Sequence, residues 1–314
     1  MNFDFDHCKF PKNEEEVLSP DELLKDYHER RNKLTAEIEE RLTTIQKSIL
    51  DADNDTDTPN LGDPWKELSL LTASLPDRLR QSVLYHAIQG KLIPQNDNEN
   101  AEDFLKVIRK GKEELVKQKI LKKKDLDINP ISDEEIPYDI PENWRWVRFE
   151  DIAMGITGKT PERGNSNYWA SPKYPWVSIS DMNDWSHLTT TKEGISEKAA
   201  SIMRDISPKG SLIMSFKLTV GRTSILDIDA YHNEAIITVK PFADKDNYLR
   251  DYLFTFLPLI TQSGDSKDAI KGRTLNAKSI AALLIPLPPL EEMHRIVDKL
   301  SKVLPKIDSG KFQL

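Results

Sequence analysis

A chain of 314 residues holds one large domain or two modest ones. Its 38% hydrophobic content can bury a core, while 31% charged residues and a mean hydropathy of -0.56 leave much polar surface, which suits a globular domain joined to long exposed helices. No stretch reaches about 18 uninterrupted apolar residues, which excludes a helical membrane span. Asp4 and Asp6 stand where a secretory leader would be apolar. Cys8, the single cysteine, has no partner for an internal disulfide and fits a reducing, cytoplasmic location.

The net charge of -8 conceals an uneven distribution. Residues 1–60 carry 16 Asp/Glu against 8 Lys/Arg, and residues 61–314 carry 36 of each sign. Within Phe104–Lys124 nine residues are basic and only Glu113 and Glu114 are acidic. Counterions are released where positive charge meets phosphate, so local charge decides nucleic-acid binding. The acidic total does not exclude DNA.

In chain order, Ser19-Pro20-Asp21-Glu22 is a capping box with proline at the first helical position. Leu24, Tyr27, Leu34, Ile38, Leu42, Ile45 and Ile49 then form one narrow stripe, predicting a helix over about 20–50 that needs a partner helix. An acidic linker follows over 51–64. Its Asp51–Asp57 stretch imitates a calcium loop, but Thr56 stands where the turn needs glycine and Gly62 where a bidentate glutamate belongs. Pro76-Asp77 predicts the start of a second helix over 77–90, stopped by Gly90. A third is expected over 101–124. Pro130, Pro137 and Pro141 mark an extended connection and a domain boundary near 136.

Beyond the prolines, short apolar runs such as Trp176–Ile179, Ser211–Met214 and Ala235–Val239 read as strands. Asn247–Ile260 reads as a helix, and five of the six tryptophans fall between 144 and 185. The fold class expected is α+β. A mixed α/β domain over 137–288 is attached to a helical region over 1–136, and a last helix lies within 289–314. The long helices are expected to form an antiparallel, coiled-coil-like spacer.

No catalytic constellation is legible. Ala153-Met-Gly-Ile-Thr-Gly158-Lys159-Thr160 imitates a phosphate-binding loop, but Pro161-Glu-Arg-Gly164 follows where a helix should begin. The six histidines and Cys8 have no metal-ligand spacing. Glu291-Glu292 sits in a helix's first turn, where the dipole favours acids. What remains is a set of polar and basic loop residues. Lys159, Thr160, Arg163, Asn165 and Asn167 share one loop, Lys217 and Arg222 flank a turn, and Lys271, Arg273, Thr274 and Asn276 share another. Arg and Lys suit guanine edges, Asn suits adenine, and all can hold phosphates.

Four strings, in order, carry a resemblance over about residues 77–306. These are Leu79–Pro94, Pro141-Glu-Asn-Trp-Arg-Trp-Val-Arg148, Gly158-Lys-Thr-Pro161 with Tyr168-Trp169 and Pro175-Trp-Val177, and Leu287–Val297. Together they resemble specificity subunits of type I restriction-modification enzymes. The resemblance implies a non-catalytic subunit whose target-recognition domain reads half of a split site in double-stranded DNA. Its helices would form the spacer on which methyltransferase subunits dock, with a motor-nuclease subunit joining them. It implies no cofactor on this chain, S-adenosylmethionine and ATP belonging to the partners. Full-length members have two recognition domains and this sequence has room for one, as a natural half-subunit, a truncated product or half of an engineered chain would; a half-subunit pairing as a homodimer is the leading expectation. A protein-interaction scaffold and a nucleotide hydrolase are the alternatives.

Overall fold

Ser19 starts the first helix with a reciprocal cap. The Glu22 amide donates to Ser19 Oγ (3.3 Å), and Glu22 Oε2 accepts from the Ser19 amide (2.9 Å) and hydroxyl (2.7 Å). Helix α1 runs Pro20–Leu50 and α2 runs Gly62–Ile88. The computed structural model describes residues 17–50, 62–263 and 275–309; the calcium-like Asp51–Asp57 stretch lies outside them. The acidic linker gives way to helix at Gly62, not after 64. Helix α2 also begins a full 15 residues before the predicted 77 and carries Pro76 in its interior. The buried positions Leu71, Leu75, Leu79 and Val83 continue one stripe across the proline. Packing of that face holds the helix through a residue that costs it one hydrogen bond.

The described residues divide into two compact units. In one, formed by residues up to Ala87 together with Lys299–Leu314, Leu23, Tyr27, Leu34 and Ile38 of α1 are buried, as are Leu71 to Leu84 of the α2 stripe. Cross-helix partners are Ser82 Oγ with the Leu18 carbonyl (2.7 Å), Arg78 with Asp26 (4.0 Å) and Arg30 with Glu67 (3.5 Å). Numbers fall along one helix as they rise along the other, so α1 and α2 are antiparallel. Leu300 and Ile307 are buried in this unit, and Asp308 pairs with Arg80.

The other unit is Ile88–Asp298, and helix α3, Ala101–Lys117, belongs to it. Its Phe104, Ile108 and Lys112 are buried, the Lys112 ammonium donates to the Glu150 carbonyl (3.2 Å), and Glu102 pairs with Arg145 (2.7 Å). It stops short of the predicted 124, closing where Lys119 turns to φ 61° and the Ile120 and Leu121 amides both reach back to the Leu115 carbonyl.

Three sheets follow. Strands β1 (Arg145–Arg148) and β10 (Leu284–Leu287) form an antiparallel pair, register Arg145 to Leu287. The main sheet has order β2-β9-β6-β7-β4, where β2 is Ala153–Thr157, β4 Ser186–Leu188, β6 Leu212–Ser215, β7 Thr223–Leu226 and β9 Ile236–Pro241. Its pairs are antiparallel except β4 with β7. The third sheet places β3 (Tyr174–Val177) between β5 (Glu193–Ile195) and β8 (Tyr231–His232). Every residue of β6 and β7 is buried, and in β6 that burial goes with the unbroken apolar run Leu212–Met214. A helix over Tyr248–Ser263 covers the main sheet with Leu249, Tyr252, Leu253, Phe256 and Leu257. The chain is α+β with long helices.

The domain closes at a last helix, Leu290–Asp308. Glu292 in its first turn is fully buried and accepts from Trp144 Nε1 (2.9 Å) and Gln95 Nε2 (2.8 Å). Burial pushes this carboxyl above its ordinary range, against the pull of those hydrogen bonds. Its acidity serves a specific latch, beyond the helix-dipole role that its position alone predicts.

Candidate nucleic-acid interface

The first loop, 158–165, leaves the end of β2. A Cβ on Gly158 would lie 2.1 Å from the His232 carbonyl oxygen, so only glycine fits. The Gly158 amide donates to the Ile236 carbonyl (3.1 Å) and the Lys159 amide to the His232 carbonyl (2.9 Å). Both donors are therefore unavailable to a phosphate. The helix that follows is one turn, Ser166–Trp169, and offers no dipole of consequence. The phosphate-loop imitation fails on geometry, and with it the nucleotide-hydrolase alternative loses its site. His232 itself is neutral; burial pushes its pKa down to about 4.

The side chains of this loop are held by the protein. Lys159 Nζ donates to the Ile202 carbonyl (3.1 Å), and Thr160 hydrogen-bonds the Glu234 carboxylate. Arg163 makes a two-pronged pair with Glu193 (2.6 and 3.0 Å). Its guanidinium stacks on Trp169 (4.0 Å) and Trp176 (4.7 Å). Asn165 caps the one-turn helix by accepting from the Asn167 amide (3.1 Å).

The second loop, 216–222, joins β6 to β7 and is tied at both ends. The Phe216 amide donates to the Ala235 carbonyl (2.9 Å), the Gly221 amide to the Ser215 carbonyl (2.8 Å), and the Leu275 amide to the Phe216 carbonyl (2.8 Å). Gly221 has φ 91°, and a Cβ there would lie 2.1 Å from Thr261 Oγ1. Lys217 touches the Phe216 ring (5.4 Å) and carries no ion pair among the described residues. Arg222 donates to the Met182 carbonyl (3.2 Å) and stands 3.3 Å from Asp184. The facing Nε and Oδ1 atoms are buried and misaligned for a hydrogen bond. Burial pushes the Asp184 pKa up to about 6 although Arg222 pulls it down.

Glu234 joins the two loops. Burial raises its carboxyl, but the Thr160 hydroxyl and the fields of Lys217 and Arg163 prevail and hold it below its ordinary value. Lys159, Thr160, Arg163 and Lys217 thus belong to one surface, with Leu275 bonded to the second loop beside it. Arg222 lies toward Met182 on the far flank of its loop. Asn276 accepts from the Ser279 amide (2.9 Å) as a helix cap. Lys271, Arg273 and Thr274 lie outside the described residues.

Sequence reasoning missed the carboxylates Glu193, Glu234 and Asp184, which restrain the chosen cations. It also missed Arg204, Lys209 and Lys240. These three are exposed, carry no ion pair among the described residues, and line a cleft of about 750 Å³ with Lys159. The Pro208-Lys209-Gly210 turn was the available signal, because turns lift lysines to a surface.

A family model described as the type I restriction modification DNA specificity domain matches residues 141–313. The chain belongs to this family. The specificity-domain match spans loops 158–165 and 216–222 alike. The EcoAI type I specificity subunit of Escherichia coli is 26% identical over 288 residues, covering 86% of this chain and 47% of that one. The EcoEI specificity subunit, also of Escherichia coli, is 33% identical over 121 residues, 36% of this chain and 20% of that one. The chain thus spans about half the length, or less, of these curated relatives. The crystal structure of the HsdS subunit from Thermoanaerobacter tengcongensis superposes with a TM-score of 0.40 at 18% identity, over 82% of this chain and 55% of that one. Among the described residues no helix is long and apolar enough to cross a membrane, and no group of His, Cys, Asp or Glu could hold a metal ion.

Proposed function

We propose that this member of the specificity-domain family reads one half of a split site in double-stranded DNA, without a catalytic role of its own. One observation carries the reading. The family match covers an α+β unit in which two backbone-tied loops, at the ends of β2 and β6, carry Lys159 and Lys217. Loops fixed by a scaffold are where groove-reading side chains belong. Methyltransferase subunits would use S-adenosylmethionine and a motor-nuclease subunit ATP, in the cytoplasm, with no cofactor on this chain. A second copy would supply the matching recognition domain for the other half-site.

Lys217 gives the sharpest test because no carboxylate among the described residues forms an ion pair with it. Lys217→Ala should weaken binding to all duplexes alike and lower the salt slope by about 0.9 for each phosphate left without its cation. Its thermal stability should not change. A gel shift that is absent, or that ignores salt, would overturn the DNA reading in favour of a protein scaffold. Sedimentation showing only monomer, with and without a methyltransferase subunit, would overturn the pairing.

A further inference from the structure

Leu218 sits at the tip of the β6–β7 loop with 81% of its surface exposed, more than any other large hydrophobic side chain among the described residues. A lone exposed leucine is ordinary on a protein surface. This one also has φ 64°, a left-handed conformation that a leucine adopts only at a cost. The strain persists because the loop is tied on both sides, through Phe216 to Ala235 and Leu275 and through Gly221 to Ser215. Turn chemistry would favour glycine or asparagine at this position. In the chain it is flanked by Lys217, which carries no ion pair among the described residues, and by Thr219. An adjoining cation without an ion pair there fits a polyanion better than an apolar protein surface.

Resting on the DNA reading above, we propose that Leu218 is a base-reading residue that packs against the methyl group of a thymine in the major groove. That methyl is the one alkyl group the base edges of an unmodified duplex present. Lys217 would hold the adjoining backbone, and the tied loop would fix where the leucine points. The contact selects thymine over cytosine by apolar burial, with no hydrogen bond from the leucine.

The test uses the full chain and a randomised duplex library. Wild type should enrich thymine at one position that Leu218→Ala and Leu218→Gly leave unselected, while Leu218→Met keeps it. Replacing that thymine by uracil should lower wild-type affinity roughly fourfold, the equivalent of about 0.8 kcal/mol for one buried methyl. It should leave Leu218→Ala unaffected. Leu218→Gly should melt no lower than wild type, since glycine accepts this backbone, which separates recognition from folding. Identical selection by wild type and Leu218→Ala, or an equal uracil effect on both, overturns the proposal. So does a rise in fluorescence of an adenine analogue beside the site, because that marks a side chain wedged into the stack. Unchanged DNA binding with abolished methyltransferase binding would make Leu218 part of a protein interface and overturn it too. A wild-type chain that selects nothing at low salt overturns the DNA reading itself.

Discussion

Asp184 is a carboxylate placed where it resists ionisation. Its side chain is 4% exposed beside Arg222, and its pKa rises from 3.8 to about 6 because burial outweighs the pull of the guanidinium. The folded chain therefore holds this proton more tightly than the unfolded chain does. Stability from this group is present at low pH and falls as pH climbs from about 4 to about 6, by about 3 kcal/mol, then stays level. Asp184→Asn cannot ionise. The difference in unfolding free energy between wild type and the variant should shift by about 3 kcal/mol across that window. At neutral pH the loss of Arg222's partner offsets part of the variant's gain, so the pH-dependent difference is the quantity to read. Urea unfolding of both chains at steps across the window measures it, and effects of every other acid cancel. Parallel profiles would refute the reasoning.

Arg163→Ala removes the pair with Glu193 and the stacking on Trp169 and Trp176. Both partners are about half exposed, so thermal unfolding should report a loss of only about 1–2 kcal/mol. Arg163→Lys should not restore it, because lysine cannot make the two-pronged bond. Glu292→Ala leaves Trp144 Nε1 without an acceptor and takes from Gln95 Nε2 one of its two, and should cost about 3 kcal/mol in urea unfolding. Glu292→Gln keeps one acceptor and should cost less. Gly158→Ala forces a methyl onto the His232 carbonyl oxygen and should lower stability by about 1–3 kcal/mol in the same assay.

Local signals were legible and distant ones were not. The Ser19–Glu22 box fixed the start of α1 because all its partners lie within four residues. The runs of β6 and β9 announced themselves because burial on both faces removes alternation. Pro76-Asp77 misled because it imitates a helix start, and only the buried stripe through Leu71 and Leu75 shows the helix running past it. At the interface, residue chemistry pointed to Lys159, Arg163, Lys217 and Arg222. The restraint of Arg163 by Glu193 and of Arg222 by Asp184 could not be read, because single acids tens of residues away carry no local pattern. The same distance hid the pairing of β1 with β10, whose register joins Arg148 to Leu284.

That last pairing has an architectural consequence. The chain comes into the sheeted module and departs from it along two adjacent strands, clipped further by Tyr252 OH on the Pro286 carbonyl (2.6 Å). Everything between is a closed excursion that returns to its doorway. An insertion, deletion or wholesale exchange inside it leaves the two door-posts at the spacing of one backbone hydrogen bond. Altered surface loops can therefore be accommodated here without retuning the segments that flank the opening.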